Sequence, residues 1–357
     1  MQIQRGWLAC ALALAACGGK KSDDPAKTGS DKTDKPAPDD NKPLSGIKDG
    51  KIIGITGDDI AMLPIDADLV AGVNFQQLQL GGLWKTFVMP MITKDQAKLD
   101  EFKAKCGFDP MTALRSASFS LKNIDTSGKM PDFVAVVHGI HKKEGLACLT
   151  AMHDKGGDKA PQLTMDGDYV SLAKDSATIV GTWVNDTTFL VEGPHGTKDD
   201  LAKLAKGDDA LRTAAQFVDM FGKLNPNDSL WFLLKGSAKI VDQASAIGLK
   251  PVAVFGTVNA GDNIAADLRL RNADAAEATK AKDTLTALAG QAKNFAPVDK
   301  IEVAQDGNDV RIQAMMSGDN LRKAQQMMHG GPPPGAGSAS GSATPTAPGS
   351  AAGSATP

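Results

Sequence analysis

The residues most suggestive of metal chemistry are His138-Gly139-Ile140-His141 and Glu144 three residues later. A zinc hydrolase of the His-Glu-x-x-His type needs two histidines four residues apart on a helix, with the glutamate between them. Here the histidines are three apart at the exit of a predicted strand, where they would face opposite sides. The spacing favours two ordinary surface histidines, so a metal-dependent hydrolase is the third of our three functional hypotheses.

Other catalytic signatures are missing from the sequence. Segment 45–51 has the wrong spacing for a phosphate-binding loop, and Ile52 stands where magnesium binding needs Ser or Thr. No Gly-x-Ser-x-Gly nucleophile elbow occurs in the part predicted to fold. We therefore expect no enzyme, no cofactor and no bound metal.

Charge and composition exclude further classes. The 357 residues include 39 Lys+Arg and 42 Asp+Glu, a formal net charge of −3. Nucleic-acid binding needs a basic surface, and the sequence has no Lys/Arg stripe with interleaved aromatics. The chain is 42% apolar and 23% charged, which is typical of a globular protein.

The N-terminus carries an export signal. Residues 1–16 have one early charge, Arg5, and then an apolar run, which predicts a signal peptide. Leu14-Ala15-Ala16-Cys17 resembles the lipobox of bacterial lipoproteins. That resemblance implies that Cys17 is diacylated, that cleavage precedes it, and that the membrane is a partner through this anchor. Cys10 is the rival site, but it leaves no apolar segment before it. Gly18, in place of Asp, implies an outer-membrane lipoprotein of the cell envelope.

Low-complexity segments flank the region predicted to fold. Residues 17–50 carry alternating Lys and Asp with few apolar side chains, which predicts a disordered tether after the lipidated cysteine. Residues 330–357 contain Gly, Pro, Ala, Ser and Thr and no charge, which predicts a disordered tail. The tail could also be O-glycosylated or lie along the cell wall.

Between these segments the patterns predict an α+β fold in two halves. Periodic strands and helices recur in the order β-α-β-β-α-β-(β)-α over 51–224 and again over 225–329. We interpret this recurrence as a tandem duplication of antiparallel sheet-plus-helix units in the ferredoxin-like βαββαβ order.

Two cysteines remain in the part predicted to fold. Cys106 ends the first predicted helix and Cys148 lies in the second. In a βαββαβ unit these helices are neighbours, and an exported protein meets an oxidising compartment. The sequence predicts a disulfide between them, with two separate thiols or a reactive cysteine as the alternatives.

Stretches 63–74, 83–85 and 106–110 resemble uncharacterised lipoproteins of myxobacteria and their relatives, which carry no known activity. Our leading hypothesis is a non-enzymatic envelope protein that binds or scaffolds an unknown envelope protein or cell-wall component. The runner-up is a carrier or chaperone for an apolar ligand such as a lipid, with Trp84, Trp231 or Phe255 lining a large dry cavity.

Overall fold

The structure is a computed structural model that describes residues 46–48, 51–53, 59–124, 130–156, 160–208, 210–295 and 297–328. The predicted signal peptide, the lipidation site Cys17 and the predicted tail lie outside these residues. Within the predicted tether, the described stretch is 46–48. The fold is therefore described mainly for the two predicted repeats.

The described residues contain fourteen strands. The first two, β1 (Gly46–Lys48) and β2 (Lys51–Ile53), pair with each other as a small antiparallel hairpin. The others are β3 (Leu69–Asn74), β4 (Ser116–Lys122), β5 (Asp132–His138), β6 (Gln162–Asp166), β7 (Tyr169–Lys174), β8 (Ala177–Asn185), β9 (Thr188–Gly193), β10 (Leu230–Lys235), β11 (Ala253–Ala260), β12 (Asn263–Arg271), β13 (Lys300–Asp306) and β14 (Asp309–Ser317).

Helices occupy several of the connections. They are α1 (Phe75–Leu80), α2 (Met89–Lys94), α3 (Gln96–Cys106), α4 (Pro110–Ala113), α5 (Lys142–Gly156), α6 (Lys198–Lys206), α7 (Ala215–Phe221), α8 (Asp242–Ser245), α9 (Ala275–Phe295) and α10 (Gly318–Met328). A π-helical turn covers Trp84–Val88, and 3-10 turns cover Leu211–Thr213 and Lys239–Val241. Within the described ranges, no helix is long and apolar enough to cross a membrane.

The sequence over 84–105 predicts a helix interrupted near Pro90, and the structure divides this region into the π-helical turn, α2 and α3. Pro90 does not end a helix, because it lies in the first turn of α2, where a missing N–H removes no helical hydrogen bond. The break falls at Asp95, whose backbone leaves the helical region. α3 then ends at Gly107 in the left-handed conformation, with φ of 75°.

The apolar periodicity over 237–247 predicts a helix there, but the helical part of this segment is shorter. It contains the 3-10 turn Lys239–Val241 and the single turn α8. The Ser245 hydroxyl donates to the Asp242 carbonyl oxygen at 2.5 Å, so a side chain takes an acceptor that a longer helix would use.

Strands β3 to β14 form one antiparallel sheet of twelve strands, in the order β13-β14-β12-β11-β10-β3-β4-β5-β9-β8-β7-β6. At its centre β3 pairs with β10, with Val73 opposite Leu230. The two predicted repeats thus contribute to the same sheet.

The fold class is α+β with a large antiparallel sheet, but the ferredoxin-like order is not confirmed. In a βαβ unit a helix joins two parallel strands. Here α1 to α4 join β3 to β4, which are direct antiparallel neighbours, with Val70 opposite Ser120. β10 and β11, joined through α8, are also direct antiparallel neighbours. These helical connections return the chain to the adjacent position in the sheet.

Apolar clusters cover both sides of this sheet. Side chains alternate between its two faces along each strand. On the side that we call the α6 face, Val134 and Leu190 pack with side chains of α6 and α7. On the opposite side, the α9 face, Leu270 and Val310 pack against Ala278 of α9. Each fully buried Val or Leu contributes about 1.5 to 3 kcal/mol, so these clusters hold the helices on the sheet.

Candidate functional site

A cleft of about 550 Å³ opens on the α6 face, near one end of β4, β5 and β9. Strand side chains line it from below, and α6 and the residues before β3 line its sides. Its polar lining is mainly acidic: five carboxylic acids against two lysines and one histidine. These residues are Asp66, Asp132, Glu192, Asp200, Asp208, Lys122, Lys203 and His195.

Strand register brings Glu192 into this cleft. Ser120, Val134 and Glu192 are cross-strand neighbours on β4, β5 and β9. Leu190, two residues before Glu192, points to the same face and is fully buried. The alternation therefore places a carboxylate in a row of core positions.

Helix α6 begins directly over this row. Thr197 caps it, because its side-chain oxygen accepts from the Asp200 N–H at 3.1 Å. The Thr197 hydroxyl also donates to Asp200 Oδ2 at 2.6 Å. A Thr followed three residues later by an acid predicts such a cap, and the structure confirms it. The cap holds Asp200 near the Glu192 carboxyl.

The Glu192 carboxyl is not neutralised by either lysine of the cleft. Its Oε2 atom is buried and has no hydrogen-bond partner, and Glu192 forms no ion pair with any described residue. Burial, followed by the nearby charge of Asp200, raises the pKa of Glu192 to about 7. A hydrogen bond from the Thr197 backbone N–H and the charge of Lys203 oppose this rise without cancelling it.

Neighbouring acids of the cleft are paired. Asp132 accepts from Asn123 Nδ2 at 2.7 Å, and His195 Nδ1 lies 3.2 Å from it. Burial alone would raise the pKa of Asp132, but these hydrogen bonds outweigh it and lower the pKa. Hydrogen bonds from Thr197 and Lys203 likewise lower the pKa of Asp200. Shifts in opposite directions within one cleft are typical of functional sites.

The histidines of the predicted metal cluster do not converge. His138 Nε2 lies 2.6 Å from Asp59 Oδ1, whereas the exposed His141 pairs with Asp186. Glu144 is exposed in the first turn of α5. Across the described ranges, no group of three or more His, Cys, Asp or Glu side chains could hold a metal ion. The third hypothesis, a metal-dependent hydrolase, therefore finds no ligand set among the described residues.

His138 instead belongs to a buried network that the sequence analysis missed. Asp59, which is 1% exposed, accepts from Ser118 Oγ at 2.6 Å. His138 Nδ1 lies 3.1 Å from Thr188 Oγ1. The serine bonds to the aspartate rather than to the histidine, so this order does not activate a nucleophile as a Ser-His-Asp triad does. The network fixes the residues before β3 to the sheet.

The predicted disulfide is confirmed. Cys106 at the end of α3 and Cys148 in α5 form a bond with their Cα atoms 4.2 Å apart. Both cysteines are buried. In the chain-entropy model, a bridge across a sequence separation of 42 residues stabilises the fold by about 4 kcal/mol.

The three aromatics suggested for an apolar ligand are all buried, and none lines the cleft. Trp231 packs edge-on against Phe221 with ring centroids 5.1 Å apart, and the Arg271 guanidinium lies 5.6 Å from the Phe255 ring centroid. Trp231 and Phe255 share the core on the α6 face, whereas Trp84 lies outside it. Their role in ligand binding stays a prediction.

Among the described residues, the cleft, the buried Asp59 network and the disulfide are features that could carry function. No known protein family, curated protein or solved structure matches the sequence or the fold.

Proposed function

We propose that this chain is a lipid-anchored protein of the bacterial cell envelope that binds another envelope component, without catalysing a reaction on it. In this proposal Cys17 holds the protein on the outer membrane, and residues 17–50 tether the folded part to it. Two or three acyl chains hold a protein on a bilayer without any membrane-spanning helix, since each buried methylene contributes about 0.8 kcal/mol.

The cleft on the α6 face is the observation that carries the binding role. Its volume, about 550 Å³, falls within the range usual for small-molecule sites. Its wall contains the Glu192 carboxyl, which folding leaves without a counter-ion. Ionisation of this group is unfavourable unless a ligand supplies a positive charge. A bound component would supply it.

Location in the envelope is supported by two independent features. The sequence Leu14-Ala15-Ala16-Cys17 resembles a lipobox. The disulfide between Cys106 and Cys148 fits a protein that folds in an oxidising compartment.

We further propose that the folded part arose by duplication. Read outward from the central pair, one half of the sheet runs β3-β4-β5-β9-β8 and the other runs β10-β11-β12-β14-β13. Each half thus places its strands in the same relative order, with β6 and β7 as an addition at one edge. This correspondence supports the proposed duplication. The cleft lies in the half that contains β4, β5 and β9.

Membrane fractionation tests the anchor. We expect the full-length chain, expressed in a Gram-negative host, to remain in the outer-membrane fraction after a carbonate wash. Cys17→Ser should release it, because the acylated thiol is lost. Cys10→Ser is the matched control and should leave the protein membrane-bound. Retention of Cys17→Ser in the membrane, or release of Cys10→Ser, would contradict the proposed anchor.

A further inference from the structure

Two buried acids elsewhere in the described chain have basic side chains as partners. Asp309, 1% exposed, lies 2.8 Å from Arg271 Nε and 2.6 Å from Lys223 Nζ. Asp59, equally buried, lies 2.6 Å from His138 Nε2. A buried carboxylate without a partner is strongly unfavourable, so pairing is the arrangement that folding favours for these acids.

Glu192 breaks this pattern at the wall of a cavity. Its Oε2 atom is buried without a partner, although the rest of the side chain is partly exposed and lines the cleft. The two lysines of the cleft are already engaged, Lys122 by Asp66 and Lys203 by Asp200. Neither lysine forms an ion pair with Glu192, so the cleft keeps an excess of negative charge around an unmatched carboxyl.

We propose that the cleft binds an organic cation, and that the ammonium or guanidinium group of this ligand becomes the counter-ion of Glu192. The inference rests on the proposed binding function and names its ligand class. The acids of the cleft do not form a set of metal ligands, whereas the volume of about 550 Å³ accommodates a small organic molecule. Charged hydrogen bonds of this kind are stronger than neutral ones, so one well-placed cation can dominate recognition.

Cation binding is therefore coupled to proton release from the cleft. With the pKa of Glu192 at about 7, the carboxyl is mostly protonated at pH 6 and mostly ionised at pH 8. A ligand that binds the ionised form should bind about tenfold more tightly at pH 8 than at pH 6. The charged groups that face Glu192 are Asp132 from β5, Asp200 and Lys203 from α6, and His195 from the loop before α6.

His195 also lines the cleft, with its Nδ1 atom 3.2 Å from Asp132 Oδ1, so its contribution to binding must be measured apart from that of Glu192. Variants separate the two groups. His195→Asn should keep most of the tenfold pH effect. Glu192→Gln, which has nearly the same shape, should abolish it and reduce the affinity at pH 8 at least tenfold. Glu192→Asp, which keeps the charge, should retain measurable binding.

The test is calorimetric titration of the full-length protein with 1,5-diaminopentane at pH 6 and pH 8 and low salt. Its diacetylated form is the uncharged control probe, and Ca²⁺ is the metal probe. We expect the diamine to bind at pH 8, the diacetylated form not to bind, and Ca²⁺ to bind more weakly than the diamine. Glu302→Gln, an exposed glutamate on edge strand β13, is the control variant and should bind like wild type.

Equal binding by Glu192→Gln and wild type, equal binding of both probes, preference for Ca²⁺, or no binding of diamine would each overturn this inference. None of these results affects membrane anchoring through Cys17, which the fractionation experiment measures separately. A protein that is membrane-bound but fails to bind the diamine would refute the ligand class and leave the anchor standing.

Discussion

Replacing Glu192 with Gln should stabilise the ligand-free protein in a pH-dependent way. Folding raises the pKa of this carboxyl from 4.5 to about 7. As the pH rises from 4.5 to 7, the unfolded chain releases this proton while the folded chain retains it, so stability falls over that window. Above pH 7 the destabilisation is complete and constant. Gln removes the ionisable group and with it the destabilisation.

The size of the effect follows from the same values. At 1.36 kcal/mol per unit of pKa, a rise from 4.5 to about 7 sets an upper bound of about 3.4 kcal/mol. Because Glu192 is partly exposed, solvent screening reduces this bound. We expect Glu192→Gln to raise the free energy of unfolding by about 1 to 2 kcal/mol at pH 8. At pH 5 the pH is still close to the pKa of the unfolded chain, so most of the destabilisation is absent. The increase in the free energy of unfolding should then be below about 0.5 kcal/mol.

Urea unfolding, followed by tryptophan fluorescence at pH 5 and pH 8, measures this difference. The midpoint should shift without a change of slope. Glu144→Gln, at an exposed position in α5, is the matched control and should change stability by less than about 0.5 kcal/mol at either pH. An equal gain at both pH values, or a loss at pH 8, would refute the reasoning about this carboxyl.

Three further changes test the packing. Replacing Cys106 and Cys148 together with Ser should lower the free energy of unfolding by about 2 to 4 kcal/mol in urea titrations, and adding reductant to this variant should have no further effect. Gly72→Ala should destabilise by about 1 to 3 kcal/mol, because its Cβ would lie 2.1 Å from Trp231 Nε1, whereas Gly261→Ala, with no atom within 4 Å, should not. Gly290→Ala, in the interior of α9 and also without contacts, should raise the thermal midpoint, with a gain of about 0.5 to 1 kcal/mol.

Local signals predicted much of the secondary structure. Asp166-Gly167 marks the turn between β6 and β7, where Gly167 has a φ of 62° that suits glycine. Thr197 caps α6, as a Thr three residues before an acid predicts, and Gly107 ends α3, as a Gly directly after a helical pattern predicts. The disulfide was predictable as well, because Cys106 and Cys148 lie in successive predicted helices of the same half.

Non-local pairing was not predictable from these patterns. The contact between β3 and β10 joins strands that lie far apart in the chain, and no turn residue specifies it. The ferredoxin-like order is likewise not confirmed, since alternation identifies strands without specifying their neighbours in the sheet. Asp59 was overlooked because no periodic pattern in the sequence marks its segment, although its carboxylate reaches Ser118 and His138 in the sheet.

The cleft was also missed, although a signal for it exists. On β9, Leu190 and Glu192 occupy alternate positions on one face, so an acid follows a core leucine in the inward-facing series. A carboxylate at such a position is rarely accidental, because burying a charge is costly. The sequence does not predict that Asp200 lies close to Glu192, because this depends on how α6 packs on the sheet.

Intact mass spectrometry of the mature protein from its membrane tests the central proposal most directly. The account predicts a chain that begins at Cys17 and carries a diacylglyceryl group, with a mass gain of about 2 Da on reduction of the single disulfide. A chain that begins elsewhere and carries no lipid would contradict the proposal that this is an anchored envelope protein.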